Sequence, residues 1–200
     1  GAVSAGCLAT DGHTVVGVDP NQTKVDLINR GVTPIIERDI GEMIAACAAN
    51  GRLRATTSVR DAVIATDLSL ICVGTPSQLN GNLDLSYVRR VCEEIGAALA
   101  TKSSFHVVVA RSTMLPGSMR NIVIPTLEQA SGKKAGVDFG VCNNPEFLRE
   151  GTAVYDYHHP PKTVIGETDA RAGQMLVDLY AKMDAPMIRT DVETAEMVKY

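Results

Sequence analysis

The sequence lacks a surplus of positive charge. It carries 19 Lys and Arg against 23 Asp and Glu, a net charge of −4, with an isoelectric point near 5.6. That removes the electrostatic footprint of a general nucleic-acid binder. No apolar run reaches the ~18–20 residues of a membrane span. The opening GAVSAGCLATDGH has no basic residue ahead of its apolar part, so it is not expected to be a secretory signal. There is no CxxC pair among Cys7, Cys47, Cys72, Cys92 and Cys142, so neither a zinc knuckle nor a disulfide framework is expected. His13, His106, His158 and His159 make no ligand spacing with cysteine or acid, and no metal is expected. Internal repeats and low-complexity tracts are also missing.

What remains is ordinary globular composition: 200 residues, 45% apolar and 21% charged. That is chain enough for one sizeable core, or one domain and the start of another. Four of the five cysteines sit in apolar segments and read as free buried thiols in a reducing cytoplasm.

Short β-branched runs alternate with helical patterns. A stretch of small residues, AVSAGCLATDG, reads as a helix, and TVVGVD (Thr14 to Asp19) as a strand. Asn21 and Gly31 bracket the next helix as cap residues, and Ile40 to Asn50 is a further one. Leu53 to Ser58 is a strand, and Ser58 opens a short helix. LSLICVG (Leu68 to Gly74) and FHVVVARS (Phe105 to Ser112) read as strands buried on both faces. Helices are expected at Leu85 to Ala100 and at Ser118 to Ala130, the latter kinked or broken at Pro125. Strands at Val137 to Asn143 and Thr163 to Glu167 follow. A helix from Asp169 to Met183, a strand at Pro186 to Arg189 and a helix from about Val192 close the chain. Tyr155 to Lys162 is expected to be one long irregular loop. Alternation of this kind predicts a doubly wound α/β fold, a parallel sheet covered by helices on both faces.

Such a fold opens with a strand, a glycine-rich turn and a helix. Here Gly1 runs straight into the helix, and Asp19 ends the following strand. That spacing suits Gly1 as the last glycine of the turn and Asp19 as the acidic residue that bonds a dinucleotide's ribose. The first strand is then expected to lie outside this sequence. Asp19 also reads as a helix N-terminal charge near Asn21. A carboxylate there would favour NAD and repel a 2′-phosphate.

GTPS (Gly74 to Ser77), RSTMLPG (Arg111 to Gly117), NPEFLREG (Asn144 to Gly151) and AEMVKY (Ala195 to Tyr200), in that order and spacing, resemble the UDP-glucose/GDP-mannose 6-dehydrogenase family. The resemblance covers the whole chain and implies a Rossmann-like NAD-binding domain over 1–190. Residues 191–200 would begin a central helix leading to a nucleotide-sugar domain beyond. It implies an NAD-dependent, four-electron oxidation of a sugar C6 alcohol to a carboxylate. GDP-mannose is the expected substrate, as in alginate-type polysaccharide synthesis; UDP-glucose, or a non-catalytic NAD-binding role, are the alternatives.

The same resemblance implies site residues, each with a plainer reading beside it. Gly1, Asp19, Lys24, Thr75 and Thr113 would contact NAD, although Lys24 also suits a solvated helix, Thr75 a plain turn and Thr113 a helix cap. Thr113 would further hold a catalytic water. Glu146 and Glu150 are four apart; on a helix they would share a face, and burial near a cofactor would raise at least one pKa. Glu150 would activate water and Glu146 would face the substrate; otherwise a carboxylate pairs with Arg149 on the surface. Lys199 would stabilise oxyanion charge or assist proton removal at the sugar C6 hydroxyl, or else make a surface pair with Glu196. The family's nucleophilic cysteine belongs to a GGSCxPKD-type motif that this sequence does not contain. The chain alone is therefore expected to be inactive, and the whole protein to be a cytoplasmic homo-oligomer.

Overall fold

The computed structural model describes residues 1–79 and 81–199. Tyr200, the last residue of AEMVKY, lies outside the described residues. In chain order the elements begin α1 (Ala2–Thr10), β1 (Val15–Val18), α2 (Gln22–Asn29), α3 (Ile40–Ala49), β2 (Leu53–Thr56), α4 (Val59–Ala65), β3 (Leu68–Ile71) and α5 (Ser86–Thr101). They continue with β4 (Val107–Ala110), a π-turn (Met119–Val123), α6 (Ile124–Ser131), β5 (Gly140–Asn143) and α7 (Ala153–His158). The last are β6 (Thr163–Glu167), α8 (Ala170–Leu179), β7 (Met187–Thr190) and α9 (Val192–Met197). Two compact units form, one from Gly1–Ala62, Phe147–Pro160 and Lys182–Asp184, the other from the remainder.

In the first unit β1 and β2 pair in parallel, Val15 opposite Leu53 and Val18 opposite Thr56. Their core gathers Ala9, Val25, Ile28, Ile40, Ile44 and Leu53. Helix α2 starts where Asn21 Oδ1 accepts from the Thr23 N–H at 2.9 Å, one of the donors a helix start leaves unpaired. The segment read as a loop from Tyr155 to Lys162 is instead helical to His158. Tyr157 is buried and its hydroxyl donates to Asp11 at 3.1 Å, so packing against α1 makes the helix that local composition hid. Pro160 and Pro161 then stop it.

In the second unit the strand order is β3-β4-β5-β6-β7. The expectation of an all-parallel sheet fails at one seam: β5 and β6 are antiparallel. A parallel neighbour needs a crossover that carries the chain back to the far end of the sheet. Between β5 and β6 the chain leaves this unit after Glu146 and rejoins it at Pro161, with no crossover helix of this unit between. Strands β4 and β5 are buried throughout, as their apolar runs predict. Strand β3 is not: Leu68, Ser69 and Leu70 are half-buried, because β3 ends the sheet and pairs on one side, with β4.

Helices α8 and α9 cover opposite faces of β6. Ile165 packs with Ala172 and Leu176 of α8. Its neighbour Gly166 points the other way, where an added Cβ would come within 2.5 Å of the Ala195 Cβ and 2.9 Å of the Asp191 carbonyl. Only glycine allows α9 that close. At the foot of β4, the Lys102 ammonium donates to the carbonyls of Val63 at 2.9 Å, Ile64 at 3.1 Å and Thr66 at 2.8 Å. A buried cation thus closes the C-terminal end of α4, where helix carbonyls lack partners. His106, fully buried beside it, meets the Thr66 carbonyl through Nδ1 and the Ser69 hydroxyl through Nε2. Burial and Lys102 push its pKa down to about 4.

Candidate active site

Ligands of open α/β sheets bind outside the carboxyl ends of the strands. In the first unit that edge carries Asp19, just past β1. Its Oδ1 accepts from the Asn21 N–H at 2.9 Å, and Lys24 Nζ lies 3.3 Å from Oδ2. A carboxylate offers about four acceptor positions, so these two contacts leave room for a vicinal diol. Lys24 pairs with Asp19 itself, at a half-exposed site where solvent screens the attraction. Gly1 stands at the start of α1 and its carbonyl accepts from the Ala5 N–H at 3.0 Å.

In the second unit the chain ends of β3 and β4 are stitched together. Arg111 N–H donates to the Ile71 carbonyl at 2.9 Å, Ser112 Oγ to Val73 at 2.6 Å, and Thr75 Oγ1 to Thr113 at 2.7 Å. Thr75 and Thr113 are therefore brought together. Among the described residues, chain neighbours aside, nothing stands within 4 Å of where a Gly74 Cβ would be, so that backbone is open to a flat ligand. Within its own unit, the Asp19 carboxylate suits a ribose diol; within the other, the open backbone at Gly74 suits a flat ring.

A buried network holds the same edge to β5. Arg111 donates to Asn144 Oδ1 at 2.8 Å and to the Tyr180 hydroxyl. Tyr180 Oη donates to Asn144 Oδ1 at 2.7 Å, and Asn144 Nδ2 to the Val164 carbonyl at 2.7 Å. Burial pushes the Tyr180 phenol up, so it stays protonated and can donate.

Glu146 follows at the end of β5 and meets Lys199. The ammonium lies 2.8 Å from Glu146 Oε1 and 2.6 Å from its backbone oxygen. Both side chains are under a third exposed, at 21% for Lys199 and 31% for Glu146, so solvent screens them only in part. The expected surface pair of Lys199 with Glu196 is replaced by this one. Glu196 is instead buried, its Oε2 accepting from the Gly117 N–H at 2.7 Å and Oε1 from the Met119 N–H at 2.8 Å. Burial raises its pKa, and the two N–H groups act against that rise.

The expectation that Glu146 and Glu150 share a helical face is corrected: residues 144–149 form no helix and Glu150 lies in a turn. Pro145 disfavours helical geometry at Asn144, and no helix follows until α7. Nor are the two a buried pair; Glu146 is half-buried and Glu150 exposed. They fall in different compact units. Arg149 pairs with Asp156, not with Glu150, through Nη2 at 2.7 Å and Nε at 3.1 Å. Those contacts hold the Asp156 carboxyl well below its usual range. Sequence reading did not single out Asn144, Tyr180 or Glu196 as parts of the site. Asn144 and Glu196 lie inside motifs it quoted, but their partners are backbone groups and distant side chains that no spacing reveals.

Cys7, Cys47, Cys92 and Cys142 are buried and free, while Cys72, inside the apolar run expected to be buried on both faces, is exposed just past the end of β3. Among the described residues no group of three His, Cys, Asp or Glu could hold a metal ion, and no helix is long and apolar enough to cross a membrane.

Comparison with known proteins places this geometry in context. The model of the UDP-glucose/GDP-mannose dehydrogenase family, NAD binding domain, matches residues 1–184. GDP-mannose 6-dehydrogenase of Azotobacter vinelandii is 57% identical over 200 residues, which is 100% of this chain and 46% of that protein. A UDP-glucose 6-dehydrogenase of Haloferax volcanii is 38% identical over 205 residues, 100% of this chain and 47% of that one. The crystal structure of a ternary complex of Pseudomonas aeruginosa GDP-mannose dehydrogenase superimposes with a TM-score of 0.98 at 56% identity, covering 100% of this chain and 46% of that chain. The chain thus spans about half the length of the curated relatives it matches.

Proposed function

The chain belongs to the UDP-glucose/GDP-mannose dehydrogenase family and carries its NAD-binding domain, and on that premise we propose that it is the cofactor half of an enzyme that oxidises the C6 alcohol of GDP-mannose to a carboxylate. The observation that carries the proposal is the meeting of Lys199 with Glu146 at the carboxyl end of β5. The greater identity to GDP-mannose than to UDP-glucose dehydrogenases, 57% against 38%, supports GDP-mannose.

Asp19 holds the adenosine ribose by accepting from its hydroxyls, and its charge disfavours a 2′-phosphate. Lys24 borders the adenosine side, and Gly1 contributes as the last glycine of the turn that opens α1. Thr75, fixed to the Thr113 carbonyl, keeps the loop edge rigid where the flat ring rests. NAD supplies the hydride acceptor when bound. Thr113 turns its hydroxyl to a water, being able to donate and accept. Lys199 presents a cation to the oxygen that gains charge at C6. Glu146 orients that cation through its carboxylate and carbonyl and borders the sugar. Glu150 is assigned to the activation of water for the hydrolytic step. A cytoplasmic homo-oligomer belongs to the same proposal; the buried free thiols suit a reducing compartment.

The test follows NADH absorbance with the full-length protein that carries this chain. Reduction of NAD with GDP-mannose but not UDP-glucose is expected, with a drop on the order of 10³-fold in Lys199→Ala. Equal rates with both sugars would overturn the substrate, and full activity in Lys199→Ala would overturn the role of the lysine.

A further inference from the structure

Glu196 is 2% exposed, yet it carries a carboxylate that burial disfavours. Such a group persists where its acceptor positions are engaged, and here both oxygens take backbone N–H groups. Those donors belong to Gly117 and Met119, at the start of the π-turn, where helical runs leave N–H groups unpaired. Gly117 adopts a φ of +92°, which a side chain would resist, and so turns its N–H towards the carboxylate. On its other side α9 lies directly on Gly166, with no space for even a methyl group. The helix is thus held at two points, by β6 and by the loop that follows Thr113. One turn further on, Lys199 reaches across to Glu146.

We propose that Glu196 is a positioning residue: by clamping α9 to the Gly117–Met119 backbone it sets the direction from which Lys199 meets Glu146, and it ties Lys199 to the loop that carries Thr113. Glu196 does this through the backbone groups of Gly117 and Met119. Its bearing on catalysis rests on the catalytic reading of Lys199. The clamp itself does not, and the experiment below measures the clamp without turnover, so the two can fail separately.

The test is site-resolved lysine acylation of the intact chain with a small acetylating reagent, read by mass spectrometry. Lys102, buried under three carbonyl contacts, reports global unfolding. Lys24, half-exposed, reports reagent strength. In Glu196→Gln an amide N–H faces one of the two backbone donors, and Lys199 labelling should rise on the order of 5-fold while Lys102 stays protected. Glu196→Asp, one methylene short, can reach only one N–H and should give a smaller rise. Glu193→Gln, which weakens the solvent-screened pair between Glu193 on α9 and Arg120 in the π-turn, should change Lys199 by less than about 2-fold. A merely structural role would move Lys102 and Lys199 together. Unchanged Lys199 labelling in a folded Glu196→Gln overturns the proposal. So does loss of Lys102 protection in both Glu196 variants, which would make the residue a requirement of folding.

Discussion

Replacing Asp19 by Asn tests the cofactor site with the least disturbance to the fold. The amide keeps an oxygen for the Asn21 N–H, now 2.9 Å from Asp19 Oδ1, so the turn into α2 survives. A change of about 0.5 kcal/mol or less in stability is expected at such a site. What is lost is charge. A hydrogen bond to a charged acceptor is worth about 1.5–3 kcal/mol and a neutral one about 0.5–1.5. The difference, roughly 1–1.5 kcal/mol, weakens NADH binding about 10-fold. NADPH should move the other way: the repulsion of its 2′-phosphate disappears, and Lys24, 3.3 Å from Asp19 Oδ2, is released towards that phosphate. A gain of about 3-fold is reasonable for a half-exposed lysine, shifting the NADH to NADPH preference about 30-fold. Fluorescence titrations of both nucleotides at about 0.1 M salt measure it, because added salt would screen the phosphate term. If the variant is folded and the preference moves less than about 3-fold, Asp19 is a helix N-terminal charge and not the ribose acceptor.

Brief alkylation of the folded chain should modify Cys72 alone, since Cys7, Cys92 and Cys142 are buried and their thiols pushed up to about 12; a second adduct before unfolding would contradict the burial. Tyr180→Phe removes a buried hydroxyl shared by Arg111 and Asn144, and should cost about 1–3 kcal/mol in urea unfolding; an unchanged midpoint would show the network to be unimportant. His106, neutral in the fold down to about pH 4, should make stability depend on acidity. Between its ordinary value of 6.5 and about 4 the unfolded chain takes up a proton that the folded one refuses, so stability is intact above that window and falls as pH drops through it. The loss approaches roughly 3 kcal/mol at about 1.4 kcal/mol per pH unit. His106→Asn, which can serve the same two partners, should flatten the curve between pH 7 and 4.5; parallel curves would refute the assignment.

Local pattern sufficed wherever a segment's own side chains decided its state. Asn21 announces α2, the run around Val107–Ala110 is buried as its composition demands, and Asp169 and Asp191 cap the helices that follow them. The motifs likewise marked where the chemistry sits, and Glu146 and Lys199 do meet. Tertiary structure decided the rest. Tyr157 needs α1 to become a helix residue, β6 reverses direction because of the path its chain takes, and the helix that would have aligned Glu146 with Glu150 never forms. Glu196 shows the physical reason most clearly. Its sequence neighbours offer it a lysine one turn away, but burial rewards whichever partners complete its hydrogen bonds, and those are two backbone amides far off in the chain.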